Sequence, residues 1–115
     1  MSQTMLVVFN GDPMCFIHVL LNSLDMAERG MGGRIIIEGA AAKLIPQLEQ
    51  AEHPLHELWL KVKAQSLIEG VCRACAKKTG ALDEARRLEL PLLSDMAGHP
   101  SLARYRQAGY DILTF

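Results

Sequence analysis

Two cysteines stand three positions apart in the segment "GVCRACAKKTG", residues Gly70 to Gly80. Cys72 follows a short apolar run and Cys75 falls within a predicted short helix. A Cys-x-x-Cys pair at such a junction is typical of a metal clip, a thiol–disulfide redox pair or a sulfur-carrying thiol with a neighbour. Alternatively, the two cysteines are small buried side chains with no chemical function.

The residues around Cys72 predict a reactive thiolate. Because Cys72 stands where a strand gives way to a helix, its sulfur is expected near the free N–H groups of the helix, whose dipole favours negative charge. Arg73 and Lys77 add positive charge nearby. In such settings the pKa of a cysteine falls to roughly 3.5–7.5. The sequence therefore predicts a lowered pKa for Cys72.

A metal site and a redox dithiol are the alternatives to sulfur transfer. Structural zinc takes about four ligands, and "CFIH" offers Cys15 and His18 on the first helix to complete a set with Cys72 and Cys75. A buried cysteine and a hydrogen-bonded histidine are the commoner explanation of such a pair on an apolar helix. A thioredoxin-like dithiol also starts a helix, but here the pair follows a middle strand, and no candidate for a cis-proline is obvious.

The elements that position these residues alternate between strand and helix. Apolar runs predict strands over residues 4–10, 33–39, 66–71, 90–95 and 110–115. Helices are predicted from Pro13 to about Arg29, over 40–50 with a break at Pro46, from Pro54, over 74–80, over 82–88, and from Pro100 to Gly109. This alternation is typical of one three-layer α/β/α domain over residues 1–115, with a mainly parallel five-stranded sheet.

In such a sheet the ligand crevice lies beyond the C-terminal ends of the strands. The first strand is followed there by Asn10 and Asp12, the second by Glu38, and the fourth by the segment that contains His99. Asn10 and Asp12 lack the glycine spacing of a phosphate-binding loop, and we consider them supporting residues. His99 is expected either to move protons at a thiol or to serve as a turn residue before the last helix.

Composition narrows the function classes. The chain has 115 residues, half of them hydrophobic, and a net charge of −1, so no basic surface for nucleic acid is expected. We also expect no membrane partner, because the chain has no apolar run of about 18 residues. The N-terminus does not resemble a signal peptide, and three cysteines are too few for a disulfide framework. A cytoplasmic protein is the interpretation.

The segment around Cys72 resembles the active-cysteine segment of the DsrE/DsrF/DsrH family of sulfur-relay proteins. There a Val-Cys precedes a short Ala-rich helix with basic residues and a closing glycine, a pattern shared by Ala74, Ala76, Lys78 and Gly80. The stretches "FNGDPMCFIHVLLNSLDMAERG", "IIIEGAA" and "LLSDMAGHPSLARYRQAGYDILTF" extend the resemblance over most of the chain, to an uncharacterised cytoplasmic branch of the family.

The resemblance implies a parallel α/β fold, a homo- or hetero-oligomer, donor and acceptor proteins, and a persulfide on Cys72. Of the two kinds of oligomer we expect a homo-oligomer. It does not transfer a role to Cys75, because the sulfur-relay subunits usually carry a small residue there. We therefore expect a sulfurtransferase or sulfur carrier that needs no cofactor. Cys75 either receives the sulfur or resolves the persulfide as a disulfide. Cys15, His18 and His99 are expected near the reacting sulfur.

Overall fold

The sheet is all-parallel and five-stranded, as predicted. A computed structural model describes residues 3–115. Its strands are β1 (Gln3–Val8), β2 (Gly32–Ile37), β3 (Ile68–Cys72), β4 (Leu92–Leu93) and β5 (Tyr110–Thr114). They pair in the order β4-β3-β2-β1-β5, with every pair parallel.

Six α-helices connect the strands. They are α1 (Pro13–Glu28), α2 (Leu44–Leu48), α3 (His56–Ala64), α4 (Arg73–Thr79), α5 (Leu82–Arg87) and α6 (Leu102–Gln107), and a 3₁₀ turn, Gly39–Lys43, precedes α2. Local signals fix the helix ends. Asp12 caps α1 by accepting a hydrogen bond from the Met14 N–H at 2.9 Å. Gly80 ends α4 with a φ of 80°, a conformation that costs glycine little.

Helix α6 is shorter than the predicted helix from Pro100 to Gly109. It begins at Leu102 because the side chain of Ser101 accepts a hydrogen bond from the Arg104 N–H at 3.3 Å and so acts as the N-cap. Residues 99–101 are thereby left in an extended loop after β4. This difference bears on the site, because His99 belongs to that loop.

Two other predicted elements also differ from those observed. The segment 40–50 forms the 3₁₀ turn and the short α2, with Pro46 in the first turn of α2, where its missing N–H costs no helical hydrogen bond. The fourth strand was predicted over six residues and has only two, Leu92 and Leu93. It is an edge strand with a partner on one side only, so its pairing ends where the chain turns into the loop.

The two faces of the sheet are covered by different helices. Leu6 of β1 packs in a large cluster with residues of α1 to α4, and α5 adds partly buried side chains to it. Met5 points to the opposite face and packs with Tyr105 of α6. Helices α1 to α5 therefore lie on one face and α6 on the other. Right-handed crossovers account for this arrangement. The chain first moves in one direction across the sheet, from β1 to β4, and then crosses in the opposite direction to β5, so the last connection covers the opposite face.

Because all five strands are parallel, their C-terminal ends meet at one edge of the sheet. That edge carries the loops that follow β1, β2, β3 and β4. Over residues 3–115, no helix combines the length and apolar character needed to cross a bilayer.

Candidate functional site: two cysteines and a histidine

Cys72 occupies the junction that the sequence predicts. It is the last residue of β3 and the N-cap of α4. Its sulfur accepts a hydrogen bond from the Cys75 N–H at 3.4 Å, which satisfies one of the free donors at the start of the helix. The residue is 0% exposed. A strand-end position beneath a loop accounts for this burial.

The loop between β4 and α6 brings His99 to the cysteines. Two backbone hydrogen bonds pair Met96 with His99, and two residues with positive φ, Ala97 and Gly98, make the turn between them. The Gly98 carbonyl accepts a hydrogen bond from the Ala74 N–H at 2.9 Å, so the loop is tied to the first turn of α4. His99 is therefore held against the helix that carries Cys75.

The three side chains form one compact cluster. His99 Nδ1 lies 3.1 Å from Cys72 Sγ and 3.9 Å from Cys75 Sγ. All three ligand atoms lie within 4.8 Å of one another. Cys72 is buried, whereas Cys75 and His99 are half-buried. Both cysteines are free thiols, so nucleophilic, redox and metal-binding chemistry all remain open to the cluster.

The predicted lowering of the pKa of Cys72 is wrong. Burial raises the pKa of the Cys72 thiol to about 12, with further raising contributions from Cys75 and from the charge of Glu38. The backbone N–H of Cys75 lowers the pKa, as the helix-start argument expected, but burial outweighs it. Arg73 and Lys77 are exposed, and water screens their charges.

Glu38 is a neighbour of Cys72 that the sequence reasoning did not select. Ile37 of β2 pairs with Val71 of β3, so the next residue along each strand, Glu38 and Cys72, stand side by side at the sheet edge. Glu38 is buried, and burial raises the pKa of its carboxyl group. The end of the second apolar run predicts Glu38 at this edge of the sheet, but the strand register was needed to place it beside Cys72.

Asn10 and Asp12 hold the start of α1. The Asn10 Oδ1 accepts a hydrogen bond from the Asp12 N–H at 2.9 Å, and Asp12 in turn caps the helix. Both residues are exposed. Within residues 3–115, Asp12 is not among the metal-ligating groups that cluster with Cys72. The structure thus gives both residues a capping function.

The proposed ligand set of Cys15, His18, Cys72 and Cys75 does not assemble. Among the described residues, the cluster of potential metal ligands contains His99 instead of Cys15 and His18. The physical reason is the side of α1 that these two residues occupy. Cys15 and His18 line a shallow depression with Phe115. Phe115 follows β5, and β5 lies on the opposite side of β1 from β2 and β3.

Comparison with known proteins identifies a relative whose activity is not described. The chain is 35% identical over 97 residues to the uncharacterized protein MJ0733 of Methanocaldococcus jannaschii. The aligned residues cover 84% of this chain and 77% of the relative. No protein-family model and no solved structure matches the chain. At this identity and coverage, the chain belongs to the same family as the archaeal protein MJ0733.

Proposed function

We propose that this protein is a sulfur carrier that accepts a sulfane sulfur on Cys72 as a persulfide and passes it on. The observation that carries the proposal is the 3.1 Å contact between Cys72 Sγ and His99 Nδ1. A thiol whose pKa is raised to about 12 is almost wholly protonated at neutral pH, so it needs a base within hydrogen-bond reach to become a nucleophile. His99 is that base.

The loading step balances without an external oxidant or reductant. His99 takes the proton of Cys72 as the sulfur attacks the outer sulfur of a donor persulfide, R–S–SH. The S–S bond of the donor breaks, a new S–S bond forms on Cys72, and the donor thiolate leaves with the electron pair. The proton then passes to that thiolate. The products are Cys72–S–SH and R–SH.

Cys75 provides a second thiol for the transfer onward. It is half-buried, and its sulfur lies in the same 4.8 Å cluster as Cys72. His99, 3.9 Å from the Cys75 sulfur, takes the proton of Cys75 as this sulfur attacks the outer sulfur of the Cys72 persulfide. The S–S bond on Cys72 breaks, the outer sulfur is now bound to Cys75, and the proton passes from His99 to the sulfur of Cys72. Cys75 is the more exposed of the two thiols, so it is the one that meets the acceptor.

Two further features support this function. The segment around Cys72 resembles the active-cysteine segment of the DsrE-like sulfur-relay proteins, and the parallel sheet with Cys72 at the end of β3 has the fold class that this resemblance implies. We accordingly propose a cytoplasmic DsrE-like protein that acts as a homo-oligomer with protein donors and acceptors of sulfur.

Intact-mass spectrometry after incubation with a small persulfide donor tests the proposal. Protein treated with a chelator is expected to gain the mass of one sulfur atom. Cys72→Ser is expected to gain none, and His99→Ala to load much more slowly. Cys75→Ser is expected to load normally but to pass the sulfur to a thiol acceptor more slowly. Loading that survives loss of Cys72 contradicts the proposal. A disulfide that forms on oxidation and needs both Cys72 and Cys75 favours a redox dithiol instead.

A further inference from the structure

We propose that Cys72, Cys75 and His99 form a binding site for a soft or borderline-soft metal ion such as Zn²⁺ or Cu⁺. This inference goes beyond sulfur transfer and does not depend on it, because it rests on the positions of three donor atoms. It also replaces the ligand set expected from sequence spacing, with His99 taking the place of Cys15 and His18.

The observed separations match those of metal ligands. With Zn–S bonds of about 2.3 Å and Zn–N bonds of about 2.0–2.1 Å, a tetrahedral ion sets its sulfur and nitrogen ligands about 3.6 Å apart and two sulfurs about 3.8 Å apart. The Nδ1 atom of His99 lies 3.1 Å from the sulfur of Cys72 and 3.9 Å from that of Cys75. Both of these nitrogen–sulfur separations lie within about half an ångström of the tetrahedral value. The two sulfurs lie within 4.8 Å of each other, so small side-chain shifts suffice to place all three atoms around one ion.

The backbone around the cluster favours bound thiolates. The N–H of Cys75 already donates to the sulfur of Cys72 at 3.4 Å, and such a bond stabilises a thiolate ligand. The hydrogen bond from Ala74 to Gly98 fixes the histidine loop on the helix that carries Cys75. Ligands from one helix start and one tied loop are held in place before the ion binds.

The donor set determines the class of ion. Two thiolates and one imidazole suit Zn²⁺ and Cu⁺, whereas Mg²⁺ and Ca²⁺ prefer oxygen ligands. Three protein ligands leave a fourth position of a tetrahedral ion for an external ligand. A metal ion occupies the sulfur atoms that loading requires, so metal-bound protein is expected to resist persulfide formation.

Titration of the chelator-treated protein with Co²⁺ provides the test, because cobalt bound by thiolates absorbs strongly in the near ultraviolet and visible ranges. We expect one cobalt ion per chain, displaced by Zn²⁺ and accompanied by sulfur-to-cobalt absorption. Loss of even an outer-shell partner costs about 10–100-fold in affinity, so Cys75→Ser and His99→Ala are each expected to weaken binding by about 100-fold or more.

Cys15→Ser and His18→Ala are the matched controls, since they remove the same two residue types outside the cluster. They are expected to leave the cobalt affinity unchanged. The proposal is overturned by an absence of sulfur-to-cobalt absorption, by unchanged affinity in folded His99→Ala, or by loss of binding in the controls. Circular dichroism confirms the fold of each variant. None of these outcomes depends on whether the protein carries sulfur.

Discussion

A rise in pH from 7 to 10 should activate Cys72 toward alkylation without reaching a plateau. Burial raises the pKa of the thiol to about 12, so about one molecule in ten thousand is a thiolate at pH 8. A free cysteine with a pKa of about 8.5 is about one-quarter ionised at that pH. Since the thiolate is the nucleophile, Cys72 in the folded, metal-free protein should react about 2,000-fold more slowly at pH 8 than in the unfolded chain.

The sequence itself makes this rate measurable for each cysteine. Trypsin cleaves after Arg73, which separates Cys72 from Cys75 into the peptides 64–73 and 74–77. Pulse alkylation with iodoacetamide, followed by digestion and mass spectrometry, therefore gives the rate at Cys72 alone. The same measurement in urea supplies the unfolded reference. The rate should rise about tenfold per pH unit up to pH 10 in the folded protein, as ionisation of a group with a higher pKa requires.

A rate at Cys72 that levels off below pH 10 would refute a pKa of about 12. A rate that is already constant near pH 8 would restore the lowered pKa predicted from the sequence. Glu38→Gln tests the contribution of the Glu38 charge to the shift. The charge of Glu38 raises the pKa of Cys72 less than burial does. Alkylation should therefore be faster in the variant than in the wild type and still slower than in urea. An unchanged rate would exclude the carboxylate as a cause.

Two further predictions concern stability. Gly98 has a φ of 91° and lies where an added Cβ would come 3.1 Å from the Ala74 Cβ, so Gly98→Ala should destabilise the fold by more than the about 1–2 kcal/mol of left-handed strain and should also slow sulfur loading. Gly80→Ala, with a φ of 80° and open space around it, should show the strain alone, and equal urea midpoints would contradict the contact. Burial raises the pKa of Glu49, but hydrogen bonds from Lys63 and Trp59 outweigh burial and lower it overall from 4.5. The resulting stability is present above pH 4.5 and is lost as the pH falls through the folded-state pKa. Glu49→Gln should therefore lower the free energy of unfolding by about 1.5–3 kcal/mol at pH 7, as measured by urea unfolding. This difference should shrink below pH 4.5, and a difference that stays constant with pH would show that the charge is unimportant.

Most of the fold is readable from local patterns. The apolar runs at Leu6 and Ile36 predict strands because both faces of a parallel sheet are buried, and Asp12 and Pro13 mark the start of α1. The length of β4 and the start of α6 were harder to predict from the sequence. They depend on an edge position in the sheet and on the competing cap at Ser101, both of which are fixed by the tertiary structure.

The site was predicted in part. Cys72 and Cys75 stand at the predicted strand–helix junction, and His99 comes from one of the loops expected at that edge. The sign of the pKa shift was missed because a sequence does not show how deeply a helix N-cap is buried. The participation of Cys15 was also wrong. Spacing along a helix does not reveal that Cys15 faces Phe115, beyond β5, and not the end of β3.

The location of the transferred sulfur is the most direct test of the account. After chelator-treated protein is loaded by a persulfide donor and its thiols are blocked, tryptic mass spectrometry distinguishes a sulfane sulfur on Cys72 from one on Cys75. The account predicts that the added sulfur is first found in peptide 64–73 and, with time, in peptide 74–77 as well. Sulfur found at Cys75 alone from the earliest time, or found equally in Cys72→Ser, would contradict Cys72 as the accepting thiol.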